Sequence, residues 1–240
     1  MLGPFDYAVT LISFLAEAYV VVCLCVSKNY FRYFSLNIYM LAAASATVGQ
    51  VITLRHFGLT SQVYGYVYYY TDALLTIALF FVIMSFYQQV FHQMGVGRYV
   101  RWASIFLLSA TALFSYLVVR RMPSHHLTNR FVVEMSQNLY FVGVVLTYLL
   151  WGAVVKLRET RTRLIQLVLA LGIFFSSNAA CYALRNLFPA LEPSFLKWVP
   201  PLAGTFLPLA WAYTFTKISE DARLETARVA LPRMAAHQPS

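Results

Sequence analysis

The sequence predicts an all-α protein, a bundle of seven transmembrane helices with the amino terminus outside and the carboxyl terminus in the cytoplasm. Three observations lead there. Of 240 residues, 60% are hydrophobic and only 11% are charged, with a mean hydropathy of +0.64, whereas a soluble domain carries about 25% charged residues. The apolar residues fall into seven runs of the length that crosses a bilayer, about 20 residues. Twelve of the 18 Lys and Arg residues fall on one side of the membrane when those runs are threaded back and forth, and six on the other; the richer side is cytoplasmic.

The first run, Tyr7 to Val26, is interrupted by a stripe of Thr10, Ser13 and Glu17, whose spacing places them on one helix face. No Lys or Arg and no small-residue cleavage site accompany it, so it is expected to be retained rather than removed as a signal peptide. The second, Phe34 to Leu54, ends at Arg55 and carries Gln50; Ala42, Ser45 and Gly49 form a small-xxx-small stripe that predicts close helix packing. The third, Val63 to Tyr87, opens on a tyrosine cluster around Asp72. Tyr64, Tyr66 and Tyr70 are expected in the interfacial aromatic belt, whereas Tyr68 and Tyr69, four and three residues before Asp72, are within reach of its carboxyl along the helix.

The fourth run, Trp102 to Val119, lies between Arg98 and Arg101 at one end and Arg120 and Arg121 at the other. Arg120 to Gln137 reads as a polar outer loop, either hydrated or folded as a short surface helix. The fifth run, Asn138 to Val155, starts with Asn138 and Tyr140 and stops at Lys156. The sixth, Leu164 to Leu184, holds Asn178 and Tyr182 and ends at Arg185. The seventh, Trp198 to Phe215, begins with Pro200 and Pro201, where proline is expected to free carbonyls for a cavity. Residues 1–217 thus form the membrane domain. Residues 218–240 form a short cytoplasmic helix, capped by Ser219, and a tail too short for an output domain, so a signal would leave through a separate cytoplasmic partner.

A charge at mid-membrane costs roughly 2.5 to 3.5 kcal/mol on insertion scales, so the two acids inside apolar runs, Glu17 and Asp72, need an account. The other acids are assigned to loops and tails. Threading places Gln50, Arg55, Asn138, Tyr140, Asn178, Tyr182 and Arg185 at matching depth in the outer half, which predicts an outward-opening polar pocket with Glu17 at its floor and Asp72, Tyr68 and Tyr69 on its wall. The competing reading is structural: the carboxyls bond neighbouring helices or pair with Arg55 or Arg185, at an average of about 0.6 kcal/mol per interhelical bond.

Several functions are excluded. Retinal binding needs a lysine in the middle of the last helix, but Lys197 and Lys217 flank it. Intramembrane haem needs buried axial histidines, yet His56, His92, His125, His126 and His237 lie at edges, in loops or in the tail. Cys23, Cys25 and Cys181 form neither a disulfide framework nor a metal pair. The net charge of +9 sits in loops rather than on a basic face, which argues for the membrane surface and against nucleic acid. No G-x-S-x-G, H-E-x-x-H or phosphate-loop pattern occurs, so no enzyme activity, cofactor or metal is expected.

The segment "YYYTDALLTIALFFVIMSFYQQVF" resembles the third helix of small seven-helix integral membrane proteins of bacteria whose activity is uncharacterised. The resemblance implies the fold and a multi-pass location in the bacterial inner membrane; it brings no activity, cofactor or site residue. Three functions remain: a receptor- or sensor-like protein binding a small ligand, proton or cation; an accessory or scaffold subunit of a larger membrane complex; and a small transporter. Few polar groups fall in the inner half, which ranks transport last.

Overall fold

Each apolar run folds as a helix, and in the computed structural model the seven are α1 (Pro4–Val26), α2 (Phe34–Phe57), α3 (Gln62–Val90), α4 (Gly97–Arg120), α5 (Leu127–Lys156), α6 (Thr162–Leu187) and α7 (Val199–Lys217). The residues described are 4–26, 31–92, 95, 97–120, 127–157, 161–188, 198–219 and 222–223. Among them no named strand occurs; one isolated backbone bridge joins Arg161 to Arg223. Of the helix expected after Ser219 only Ala222 and Arg223 are described, and neither is helical; His125 and His126 fall outside the described residues.

The first six helices are long and apolar enough to cross a membrane, which makes the chain a membrane-type helical bundle. The seventh falls short of that length-and-hydropathy criterion because Pro200, Pro201, Pro208 and several Thr, Trp and Tyr residues dilute its apolar content.

Local chemistry sets the α2–α3 corner. Gly58 adopts φ 77°, a left-handed conformation open to glycine, and its N–H bonds the Leu54 carbonyl at 3.0 Å. Ser61 then caps α3, its Oγ accepting from the Tyr64 N–H at 3.1 Å. The long outer loop expected from Arg120 to Gln137 is not one: α5 already starts at Leu127, and the polar residues before Asn138 are its first turns. An amphipathic first turn at a membrane end carries no apolar run to announce it, which is why Glu134 and Ser136 read as loop residues.

Every sequential pair of helices packs together. Six of them, α1, α2, α3, α5, α6 and α7, close into a ring by the α3–α5 and α1–α7 contacts, with α3 also touching α6. The fourth helix packs outside this ring on α3 and α5. Its surface is inverted relative to a soluble helix: Ser104, Thr111 and Ser115 are buried, while Trp102, Phe106, Leu113 and Phe114 are exposed. Such a face suits lipid. The buried hydroxyls are satisfied within the helix, as Thr111 Oγ1 donates to Leu107 O and Ser115 Oγ to Thr111 O, both at 2.8 Å.

The small-residue stripe on α2 does not make the close contact expected of it. Ser45 is exposed, and a Cβ built on Gly49 would meet nothing within 4 Å. Close approach occurs between α5 and α6 instead, where a Cβ on Gly143 would run into the Phe175 ring. Phe175 is only 1% exposed and has no room to swing away.

Candidate functional site

At the end of the bundle where α1 begins, a cavity of about 340 Å³ lies inside the ring. Five ring helices line it through their halves at that end: α1 from Val9 to Glu17, α2 from Tyr39 to Leu54, α3 from Tyr64 to Leu79, α6 with Phe174 and Asn178, and α7 with Pro200 to Thr205, while α5 contributes Tyr140 alone. Its volume is at the small end of the range of ligand pockets, about 300 to 1,000 Å³.

Thr10, Ser13 and Glu17 all line the cavity, as a shared helix face requires. Glu17 is 6% exposed. Its Oε1 accepts from Ser13 Oγ at 3.1 Å one turn away, and its Oε2 is buried with no hydrogen-bond partner. Thr47 of α2 lines the cavity beside it.

Asp72 lines the same cavity but is compensated differently. Ser136 Oγ donates to its Oδ2, and Tyr140 OH donates to its Oδ1 at 3.1 Å. Ser136 and Tyr140 stand one turn apart on α5, so that one helix face meets both carboxyl oxygens. Thr76, one turn after Asp72, lies 3.3 Å from Ser136 through its hydroxyl. The donors therefore come from α5, not from Tyr68 or Tyr69 on Asp72's own helix. The reason is geometric: tyrosine hydroxyls sit at the end of long rigid rings and overshoot a short aspartate one turn along, whereas a facing helix presents them end-on.

The sequence-expected pocket residues divide. Glu17, Asp72, Tyr68, Gln50 and Asn178 line the cavity. Gln50 also ties α2 to α3, Nε2 donating to Thr71 Oγ1 at 2.7 Å, and Asn178 donates to its own Phe174 carbonyl at 2.9 Å. Tyr182 stands behind the wall, its ring 5.6 Å from that of Tyr140. Asn138 turns away and donates to Ser115 Oγ on α4 at 2.9 Å. Tyr69 is 45% exposed and meets Tyr68 edge-on. Arg55 and Arg185 are exposed, and the two hydrogen bonds to Asp72 come from hydroxyls rather than from either arginine.

Other wall residues were not expected. Tyr64, assigned to the aromatic belt, lines the cavity and stacks on Tyr68 with ring centres 6.4 Å apart. Tyr39 is buried and meets Trp211 edge-on at 5.9 Å. Pro200 and Pro201 sit at the first positions of α7, where an N–H would be unpaired in any case, so they free no carbonyl. Pro208 does: lacking an N–H, it leaves the carbonyl of Gly204, a wall residue, without its helical donor. Ser136 was within reach of sequence reasoning, because Ser136 and Tyr140 repeat the helical spacing by which Asp72 and Thr76 share a face.

Two further buried polar groups lie at the opposite end. Asn37 is fully buried with both side-chain polar atoms unpartnered, and Gln89 Oε1 is likewise unmet although its Nε2 donates to Arg32 O at 3.1 Å. That end is thus less purely apolar than the sequence implied, and nothing in the structure explains the Asn37 pair. Among the described residues, no three His, Cys, Asp or Glu side chains gather as a metal site.

No protein-family model, no curated protein and no solved structure matches this chain. The bundle and its cavity are the available guide to function.

Proposed function

We propose that this chain is a non-catalytic, multi-pass protein of the bacterial inner membrane that crosses it seven times, amino terminus outside, and binds a small ligand from outside in the cavity between Glu17 and Asp72, in the manner of a receptor or sensor. One observation carries the reading. The Glu17 carboxyl lines the cavity with Ser13 bonded to its Oε1, and its Oε2 is buried without a hydrogen-bond partner. A buried polar atom left unmet costs about 1 to 3 kcal/mol, and more when charged, so a ligand donor in the adjoining cavity would stabilise this carboxyl.

The two-to-one distribution of Lys and Arg supports the orientation. The packing of α7 between α1 and α6, where it completes the ring, supports a seventh crossing despite its lower hydropathy. With that orientation the cavity lies toward the outer face.

Access tests the reading. Thr47→Cys in intact cells or oriented vesicles, treated with a membrane-impermeant maleimide, is expected to label from outside well above the background of the native cysteines. Labelling only from the cytoplasmic side, or none, defeats it.

A further inference from the structure

Resting on that reading of the cavity, we infer that its ligand is an organic ammonium ion, whose positively charged nitrogen lies beside the Glu17 carboxyl and whose apolar body lies among the aromatic residues of the wall. Three independent features converge on this class.

The first is the unmet atom itself. Glu17 is more than nine-tenths buried, its Oε2 has no partner, and it lines the cavity. Once ionised, a carboxyl accepts only and calls for a donor, and a positively charged donor both favours that form and gives the stronger bond.

The second is charge. Of the described residues that line the cavity, two are acids and none is Lys, Arg or His. Asp72 is already met on both oxygens by hydroxyls, so it supplies field without demanding a second donor. An anionic ligand would face two carboxyls and, among the described lining residues, no cation.

The third is the aromatic lining. Tyr39, Tyr64, Tyr68 and Trp198 line the same space as the two acids. Aromatic walls around a carboxylate are how proteins hold organic ammonium groups, through cation–π attraction joined to apolar contact. A bare metal ion would use neither, and the oxygen ligands near Glu17 are too few to wrap one.

Water is the default occupant of a polar cavity, so the test must separate an ammonium site from a hydrated hole. Three probes of one shape and different charge do so: phenethylammonium, neutral 2-phenylethanol and anionic 3-phenylpropanoate, titrated by calorimetry into the purified full chain in lipid nanodiscs. The ammonium is expected to bind, and the alcohol and carboxylate to bind at least about tenfold more weakly. Glu17→Gln is expected to lower ammonium affinity by about 10- to 100-fold, the loss of one charge-assisted bond, and to leave the alcohol unchanged.

The probe series on the unaltered protein carries the test even if that variant fails to fold. Equal or tighter binding of the alcohol or the carboxylate, persistence of ammonium binding in a folded Glu17→Gln protein, or no binding of any probe each overturns the assignment. Labelling of Thr47→Cys from outside distinguishes the two levels: with labelling but no ammonium preference, the outward cavity stands and the ligand class is wrong, and with neither, both fall.

Discussion

Glu17 and Asp72 show two ways of placing an acid in an apolar bundle. The Asp72 carboxyl is completed by the protein: one face of α5 presents Ser136 and Tyr140 to its two oxygens. Ser136→Ala leaves Oδ2 without its donor and is expected to cost about 1 to 3 kcal/mol of stability, read as a lower midpoint of thermal unfolding in detergent. Glu17 is bonded on one oxygen only. Glu17→Gln keeps its shape and removes its charge, so the empty protein is expected to hold its unfolding midpoint or to gain by up to about 3 kcal/mol, the desolvation cost no longer incurred. A marked loss of stability would instead show that Glu17 also bonds a neighbouring helix, and its role in binding then rests on the probe series with the unaltered protein.

At the scale of elements, the closest helix approach depends on a glycine that no sequence stripe advertised. Gly143 of α5 lies against the ring of Phe175 on α6, and a methyl group there has no free space. Gly143→Ala is expected to destabilise the bundle by about 1 to 3 kcal/mol through overpacking, with partial rescue by Phe175→Leu, both measured as unfolding midpoints. Gly65→Ala is the control. A Cβ there meets nothing within 4 Å, so this change within α3 is expected to be neutral or to gain up to about 1 kcal/mol of helix propensity. The stripe of Ala42, Ser45 and Gly49 had the spacing of a packing motif, but spacing fixes only which residues share a face, not which face the neighbouring helix covers.

For the whole molecule, the ring of six helices with α4 outside it creates the cavity, because α1, α2, α3, α6 and α7 all end their polar halves at the same end. The proposed seven crossings, amino terminus outside, put the termini on opposite sides. A carboxyl-terminal fluorescent fusion is therefore expected to fold and shine in the cytoplasm while an amino-terminal epitope is accessible from outside; both termini on one side would leave α7 out of the membrane count. The sequence by itself determined the helices, their order and the depth at which polar groups fall, because apolar length and helical periodicity are local properties that each run carries within itself. It could not choose among the polar groups at one depth. Azimuth and reach decided that Ser136 rather than Tyr68 meets Asp72, that Arg55 and Arg185 stay exposed, and that Glu17 keeps one buried oxygen without a donor, and these follow only from how the helices pack around one another.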